Sequence, residues 1–518
     1  MPSTRPARRF PRTAVATPHY LASAAGAGVL ARGGNAVDAA VAANITLAVV
    51  APYTCGPGGD LFAIVHDGAP QGYLGSGRSA VGDSRDALIA LEPDGSMPVL
   101  GARAVAVPGA VDGWFALLER WGTRSFGELA ADAHRYATDG FEVPERTARD
   151  MFEGFVGIYG ESSSWFGGYG SVRPGTRLHQ PDLARTLELL ATDGPDAYYR
   201  GAIAEAIADT VQAEGGRMTV DDLRNHRGEW TAPLSASFRD VTVYELPPPT
   251  QGVTALEALR IADRFPRRTD GPDRQHLLVE AVKQSLADRD EFVSDPGHMR
   301  TPAGALITDE WVASRRSRID PTRALRPVVG RPQQGGTAYL CAADGDGLLV
   351  SLIQSNFLAF GSGVRVRGWG INLNNRASSF NLDPTSVNVF APGKRPMHTL
   401  VPAFATRDGR PWLVFGTMGA DAQTQVHVQL LTRLLDDRAD VQEAIDAPRW
   451  RVEPGRWGVT VERRADGRVV DGLRTRGHEV TVSGSYDSGM GHAHAIEVVP
   501  AGYAAAGDPR ADGAALGS

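Results

Sequence analysis

The stretch Gly335-Gly336-Thr337-Ala338-Tyr339-Leu340-Cys341-Ala342-Ala343 decides how the fold of this chain is read. A turn signal, Asp344-Gly345-Asp346-Gly347, follows it and leads into a second apolar run over Leu348–Ile353. Two apolar runs joined by such a turn predict a β-hairpin. A Gly-Thr pair before a strand usually marks only a turn, so the rest of the chain has to decide whether this pair carries chemistry.

The reactive group that this pair could supply is the hydroxyl of Thr337. A threonine hydroxyl is a weak nucleophile until a base lies beside it, and one available base is the residue's own α-amine. That amine exists only if the chain is cut before Thr337, and it would titrate near ~7.7–8.0, which suits a general base at neutral pH. Gly336 has no Cβ, so the hydroxyl can approach its carbonyl closely.

Outward from this stretch, the composition is that of a large globular protein. The chain has 518 residues, which favours several domains or one large multilayer sandwich. Its net charge of −7 gives no electrostatic indication of nucleic-acid or anionic-membrane binding. The two cysteines, Cys55 and Cys341, cannot form a disulfide framework, and a reduced cytoplasmic protein is the simplest interpretation.

The N-terminus imitates a secretion signal, because arginines precede the apolar stretch Leu21–Leu30. That stretch is rich in Ala and Gly and continues into Asn35, a plausible helix N-cap for a helix to Val50. We therefore predict that Leu21–Leu30 is a helix of the folded domain. No run reaches the ~20 apolar residues of a membrane span, and we expect no membrane association.

The middle of the chain, from about 110 to 330, is predicted to be mainly helical, and the part after 330 is rich in strand and turn signals. The predicted helices are Val111–Arg120, Phe126–Tyr136 and His276–Phe292, and a strand is predicted at Val241–Leu246. The glycine-rich Cys55–Asp60 segment is interpreted as a structural turn, because no Gly-Lys-Ser/Thr ends it as in a phosphate loop.

Several segments, in one consistent order, give the chain a family resemblance. They are Gly33–Ala42, Val107–Gly109, Pro247–Pro249, Ala287–Arg289, Gly335–Thr337, Leu373–Asn375, Gly393–Pro396 and Asp508–Gly513. With them the chain resembles the γ-glutamyltransferases, which are N-terminal-nucleophile hydrolases, from Ala16 to Gly517. The resemblance implies an α+β fold, the four-layer αββα sandwich, without a cofactor. It also implies a large chain, 1–336, and a small chain, 337–518, intertwined in one core.

The resemblance assigns roles to individual residues. Thr337 matches the nucleophile, with cleavage between Gly336 and Thr337, and Asn356 matches the asparagine beside it. Gly419 and Ala420 match the residues whose N–H groups form the oxyanion hole, and the alanine is expected to be tolerated if its φ is negative.

Other positions match the substrate pocket of the family. Arg78 corresponds to the arginine that clamps the substrate carboxylate. Gln354 stands where the family usually has a threonine behind the substrate-contacting residues. His398 and Thr399 replace a pair of serines. Arg376 and Ser379 replace the glutamine and aspartate that bind the substrate α-amine. An unpaired Arg376 near a substrate ammonium would cost on the order of 1–4 kcal/mol. The catalytic set is thus predicted to be intact and the recognition of the amino group altered.

Four further side chains have ordinary interpretations that are favoured over functional ones. His492 and His494 could be metal ligands on one strand face, but no other ligand lies at suitable spacing, so we expect no metal. His427 fits a packed histidine in a helix. Asp421 is expected to be a helix N-cap rather than a partner of the Thr337 amine.

The leading hypothesis is a self-processing hydrolase of γ-glutamyl-type amides that forms an acyl-enzyme on Thr337. The first alternative is an acylase, or a biosynthetic hydrolase of another acyl bond (including C–C), whose substrates lack the usual α-amine. The second is an unprocessed, non-catalytic binding protein. The expected partners are a small amide or peptide substrate and the chain's own two fragments as a heterodimer, with further dimerisation left open.

Overall fold

The computed structural model describes residues 5–91, 95–159, 172–267, 270–327, 330–331 and 335–518. Within them, two seven-stranded sheets form the centre of the molecule. Strands and helices are numbered in chain order. The first sheet contains, side by side, β1 (Arg8–Phe10), β20 (Gly502–Ala506), β19 (Ala493–Val499), β15 (Arg410–Thr417), β14 (Ala403–Arg407), β9 (Val241–Glu245) and β8 (Leu234–Phe238).

The second sheet carries the predicted hairpin at its centre. Its strands, side by side, are β21 (Ala514–Gly517), β2 (Ala14–Thr17), β10 (Gly336–Ala343), β11 (Leu349–Phe357), β3 (Asp60–Asp67), β4 (Ala69–Gly75) and β7 (Glu229–Thr231). Smaller sheets are formed by β5 (Phe141–Glu142) with β6 (Arg177–Leu178), by β12 (Arg365–Val366) with β13 (Ile371–Asn372), and by β16 (Trp450–Val452), β17 (Val459–Glu462) and β18 (Val480–Ser483).

Helices lie outside the two large sheets, and some of them pack directly on a sheet. They are α1 (Tyr20–Ala31), α2 (Ala36–Val50), α3 (Arg85–Leu91), α4 (Ala110–Trp121), α5 (Phe126–Asp139), α6 (Glu145–Tyr159), α7 (Pro181–Asp193), α8 (Pro195–Tyr199), α9 (Ala202–Ala213), α10 (Val220–Arg224), α11 (Gly252–Asp263), α12 (Pro272–Phe292), α13 (Asp309–Arg316), α14 (Ala422–Leu435), α15 (Val441–Asp446) and α16 (Gly467–Thr475). The predicted helices and the strand at residue 241 are therefore confirmed.

Three apolar cores separate the four layers. The core between the sheets contains Phe62, Tyr339 and Phe404. Along β10, Tyr339 faces this core, whereas the neighbouring Leu340 belongs to the core under α1, α2 and α4. A third core lies under α11, α12 and α14. This alternation along a strand that is buried on both faces produces the expected αββα sandwich.

Strands from both sides of residue 336 share both large sheets. In the second sheet, β10 and β11 lie between β2 and β3, which come from the first third of the chain. In the first sheet, β14, β15, β19 and β20 lie between β1 and β9. Two fragments divided at Gly336 would therefore remain held by the strand pairings of both sheets, and the boundary between 1–336 and 337–518 remains a prediction.

The N-terminal interpretation is also confirmed. Asn35 caps α2, with its side chain accepting a hydrogen bond from the Asp38 N–H at 2.9 Å and its own N–H donating to the Asp38 carboxylate. No helix in the described ranges is both long enough and apolar enough to cross a bilayer. Cys55 and Cys341 are free thiols in the interior.

Candidate active site

Thr337 lies where the register between β10 and β11 shifts. Gly336 pairs with Phe357, and Ala338 pairs with Gln354, so two residues of β11 lie opposite Thr337 alone. This two-to-one pairing is the arrangement of a β-bulge, which reorients side chains and is common beside active sites. Phe357 ends the bulge with a φ of 78°, a left-handed conformation that a bulky residue rarely adopts.

Ser355, one of the two bulged residues, connects the hydroxyl and the carbonyl that self-cleavage would join. The Thr337 hydroxyl donates to Ser355 Oγ at 3.1 Å, and Ser355 Oγ donates to the Gly336 carbonyl at 2.6 Å. The Phe357 N–H donates to the same hydroxyl at 2.8 Å and fixes it in place. Sequence reasoning missed Ser355, because regular alternation would place it on the opposite face from both of its neighbours.

The neighbours of Ser355 are buried polar side chains with unused hydrogen-bonding capacity. Asn356 is fully buried, and neither its Oδ1 nor its Nδ2 has a hydrogen-bond partner among the described residues. Gln354 donates from Nε2 to the Gly56 carbonyl at 2.8 Å, and its Oε1 has no partner. Buried polar groups are rarely left unpaired, since each costs about 1–3 kcal/mol. Unpaired groups beside Thr337 therefore indicate a site built to bind something.

The candidate oxyanion residues form the turn between β15 and α14. Gly419 has a φ of 126° and Ala420 a φ of 48°. Ala420 therefore does not have the negative φ on which its tolerance was expected to depend. The alanine occupies a left-handed position that glycine would adopt without strain. In the part of the chain that the structure describes, neither N–H donates a hydrogen bond. Both residues line a cavity of about 340 Å³ together with Gly335, next to the predicted cleavage site.

Asp421 has a different role from the one expected. It holds the N-cap position of α14, but its side chain makes no capping hydrogen bond and instead pairs with buried Arg289. The reason is its backbone, which is already helical at Asp421 and so directs the carboxylate away from the next N–H groups. Arg289 also donates to Gln251, whose Nε2 donates to the Ala420 carbonyl at 3.0 Å. These hydrogen bonds hold the candidate oxyanion turn in place.

Arg376 is fully buried and lies against the bulge. Its Cζ is 3.9 Å from the centre of the Phe357 ring, and its Nη1 donates to the Thr399 hydroxyl at 3.4 Å. Its Nε is 3.6 Å from an Asp60 carboxylate oxygen. The same Asp60 oxygen meets His398 Nε2 at 2.9 Å. The structure thus brings three of the predicted pocket residues, Arg376, His398 and Thr399, together.

Burial dominates the electrostatics of this cluster. It raises the pKa of Asp60 to about 7, with partial opposition from Arg376. It lowers the pKa of Arg376 to about 9, partly offset by Asp60, so the guanidinium remains charged at neutral pH. Burial and the Arg376 charge hold the pKa of His398 well below its ordinary value, so this imidazole is neutral. One carboxyl group, partly protonated at neutral pH, thus faces one arginine.

Ser379 and Arg78 are positioned differently from the predicted pocket. Ser379 Oγ donates to the carbonyls of Arg376 and Met397, both at 2.9 Å, so its hydroxyl stabilises the turn that carries Arg376. Arg78 is about half exposed and meets Asp295 at 3.4 Å and the Gly393 carbonyl at 3.1 Å. It lines a cavity of about 220 Å³ whose walls do not include Thr337.

Thr337 also borders a cavity of about 10 Å³ that is lined mostly by polar residues. Among them are Tyr53, Asp150 and His492. Burial raises the pKa of Asp150 to about 6, partly opposed by Arg149, and burial with nearby carboxylates raises the pKa of Tyr53 well above its usual value. His492 Nε2 meets Ser488 Oγ at 2.9 Å. No pattern in the sequence indicated that these side chains lie near Thr337.

Within the described ranges, the structure forms one group with metal-like spacing, His276, Glu280 and His478. Lys283 Nζ donates to Glu280 at 2.9 Å and lies 3.2 Å from His478 Nδ1, so an ammonium already supplies the positive charge there. His427 lies buried in α14 and meets Glu245 at 2.7 Å, in agreement with a packed histidine. His494 is also buried and belongs to no metal-like group of the described residues.

Comparisons with known proteins agree over nearly the whole chain. Residues 22–518 match the family model of gamma-glutamyltranspeptidase. The chain is 39% identical to the glutathione hydrolase-like YwrD proenzyme of Bacillus subtilis, over 97% of this chain and 98% of that protein. It is 38% identical to the oxamate amidohydrolase proenzyme of Klebsiella pneumoniae, over 96% and 97%. The cephalosporin acylase of Bacillus halodurans has a TM-score of 0.94 at 35% identity, covering 100% of this chain and 98% of that one.

Proposed function

Because the chain belongs to the γ-glutamyltranspeptidase family of N-terminal-nucleophile hydrolases, we propose that Thr337 is its nucleophile and that the protein cuts itself before that residue. The observation that carries the proposal is the position of Ser355. One hydroxyl contacts both the Thr337 hydroxyl and the Gly336 carbonyl, at 3.1 and 2.6 Å. The enzyme class makes the alternative of a non-catalytic binding protein untenable.

In the proposed self-cleavage, Thr337 Oγ attacks the Gly336 carbonyl carbon while its proton leaves toward Ser355. The Ser355 hydroxyl donates to the carbonyl oxygen as negative charge develops there. The C–N bond then breaks as the proton passes by way of Ser355 to the departing Thr337 nitrogen, which leaves an ester on Thr337 Oγ and a free α-amine. Water hydrolyses this ester and frees the Gly336 carboxylate. The products are chains 1–336 and 337–518, held together as a heterodimer by the two shared sheets.

In the proposed turnover, the new α-amine of Thr337 serves as the base for its own hydroxyl. The hydroxyl attacks the carbonyl carbon of the substrate amide, and the amide C–N bond breaks as the α-amine passes the hydroxyl proton to the departing amine. Water then hydrolyses the acyl-enzyme and releases the carboxylic acid. Gly419 and Ala420 have N–H groups free to stabilise the oxyanion, and Asn356 has an unpaired amide beside the nucleophile. Such preorganised donors contribute most when they need no reorganisation during the reaction.

Among the substrate classes that the sequence leaves open, we favour small amides whose acyl group lacks an α-amine. Two features support this choice over γ-glutamyl amides. Arg376 replaces a neutral glutamine with a buried cation, and the Ser379 hydroxyl is engaged by two backbone carbonyls. Neither residue can attract an ammonium. The name of the Klebsiella relative, oxamate amidohydrolase, also refers to an amide without an amine-bearing carbon.

Denaturing electrophoresis and mass analysis of the purified protein test the cleavage. Scaling the 55.1 kDa mass by chain length gives bands of about 36 and 19 kDa, the smaller beginning at Thr337. Thr337→Ala should remain one band, keep its circular dichroism spectrum and lose several decades of turnover, because a covalent path is removed. Wild-type cleavage in Thr337→Ala would identify another nucleophile. The substrate class is tested by comparing the kcat/KM of the cleaved enzyme for glutaryl and γ-glutamyl anilides.

A further inference from the structure

Arg376 has hydrogen-bonding capacity that nothing in the described chain uses. A guanidinium carries five N–H donors in a planar fork. Arg376 is fully buried, yet its Nε and Nη2 donate no hydrogen bond, and its Nη1 reaches only the Thr399 hydroxyl. A buried charge with unpaired donors is costly unless another group completes it. The missing partner must be an acceptor and, given the charge, an anion.

The surrounding charges do not neutralise Arg376. Asp60 is the carboxylate paired with it, at 3.6 Å, beyond hydrogen-bond length. Asp60 is shared with His398 and with the Gly77 N–H, and burial raises its pKa to about 7. His398 is neutral, because burial and Arg376 hold its pKa low. At neutral pH the cluster therefore retains part of a positive charge in the interior.

Arg376 is linked to the predicted cleavage site through Phe357. The guanidinium packs 3.9 Å above the Phe357 ring, and Phe357 pairs with Gly336 across the bulge. The unpaired amide of Asn356 lies in the same bulge. A Cβ added to Gly335 would be 3.2 Å from the Phe357 ring, so the segment before the cut contacts the residue that covers Arg376.

We propose that Arg376 binds a free carboxylate on the acyl part of the substrate, so that the enzyme acts on monoamides of dicarboxylic acids. This inference rests on the proposed function of Thr337. An arginine fork binds a carboxylate through two parallel hydrogen bonds, and the Nε and Nη2 edge of Arg376 offers that geometry. Arg78, which the sequence favoured for this role, is half exposed and already meets Asp295 and the Gly393 carbonyl.

The test compares glutaryl and valeryl p-nitroanilides on the cut enzyme, since these acyl groups differ by a carboxylate in place of a methyl group. Two charge-assisted hydrogen bonds predict a kcat/KM ratio of about 10- to 100-fold in favour of glutaryl. Arg376→Met should reduce this ratio to near one, while Arg376→Lys should retain part of it. Arg315→Met is the matched control, because Arg315 also stacks on a ring at 3.9 Å but is fully engaged by Asp288.

The outcomes separate the two proposals. A glutaryl preference that survives in Arg376→Met overturns the inference, and so does a ratio near one in the wild type. Absence of cleavage and of turnover with every donor overturns the proposed function instead. If Arg376→Met does not fold, inhibition of the wild type decides: glutarate should inhibit at least about tenfold more strongly than valerate. Equal inhibition overturns the assignment of Arg376.

Discussion

Replacing Ser355 by alanine should slow self-cleavage without disturbing the fold. In the bulge, its hydroxyl donates to the Gly336 carbonyl at 2.6 Å and accepts from Thr337 at 3.1 Å. Removal of one such donor from a developing oxyanion typically costs about 2.7–4 kcal/mol, or 100- to 1000-fold in rate. The side chain that remains is shorter by one oxygen atom, so packing changes little. We therefore expect Ser355→Ala to accumulate as the uncut 55.1 kDa chain.

The measurement is a time course of the two fragments on denaturing gels after purification of freshly synthesised protein. Ser355→Thr, which keeps the hydroxyl, should restore much of the rate. Ser351→Ala is the matched control: it lies in the same strand, and its hydroxyl contacts the Tyr339 hydroxyl at 3.0 Å rather than the cleavage site. If Ser355→Ala matures as fast as the control, the Ser355 hydroxyl does not assist the cleavage and the reasoning is refuted.

Three further predictions concern stability and are checked by urea unfolding. Ala420→Gly should raise the free energy of unfolding by up to about 1 kcal/mol, because a φ of 48° strains alanine; a loss of stability would contradict the strained turn. Asp150 has a folded pKa of about 6, above its unfolded value, so its ionisation destabilises the protein progressively as pH rises from about 4 to about 6. Asp150→Asn should therefore stabilise at pH 8, by on the order of 3 kcal/mol at most, and not at pH 4. Equal effects at both pH values would exclude the charge as the cause. Asn35→Ala should cost about 1–2 kcal/mol, because it removes the α2 cap and a hydrogen bond to the Trp121 carbonyl, and Asn35→Asp should recover part of this.

Elements with a strong local signal could be predicted from the sequence. The hairpin of β10 and β11 follows from two apolar runs around an Asp-Gly turn. The start of α2 follows from Asn35 and Asp38, whose capping box uses only neighbouring residues. The four layers and the candidate nucleophile were inferred from the order of the family segments, because members of a family share one fold.

Positions that depend on distant contacts could not be predicted. The left-handed turn at Ala420 is held by a hydrogen bond from Gln251, far away in sequence, so the sequence left the sign of this φ as a condition that the structure does not meet. Asp421 pairs with Arg289 instead of capping α14, because the fold buries an arginine beside it. Arg78 was assigned to the carboxylate from local similarity alone, whereas its contacts are to Asp295 and the Gly393 carbonyl.

By itself, the sequence determined the helices and the hairpin of this protein, because periodicity, caps and turns act between residues close along the chain. The four layers and the candidate nucleophile were implied by the family resemblance of its ordered segments. Only the tertiary structure decided which side chains meet at Thr337. The bulge that turns Ser355 toward the Gly336 carbonyl depends on a register shift between two strands. The burial of the Arg376 guanidinium depends on Phe357 and Asp60, which the fold brings together from separate strands. Burial and hydrogen-bond satisfaction are properties of that three-dimensional packing, and the linear pattern does not contain them.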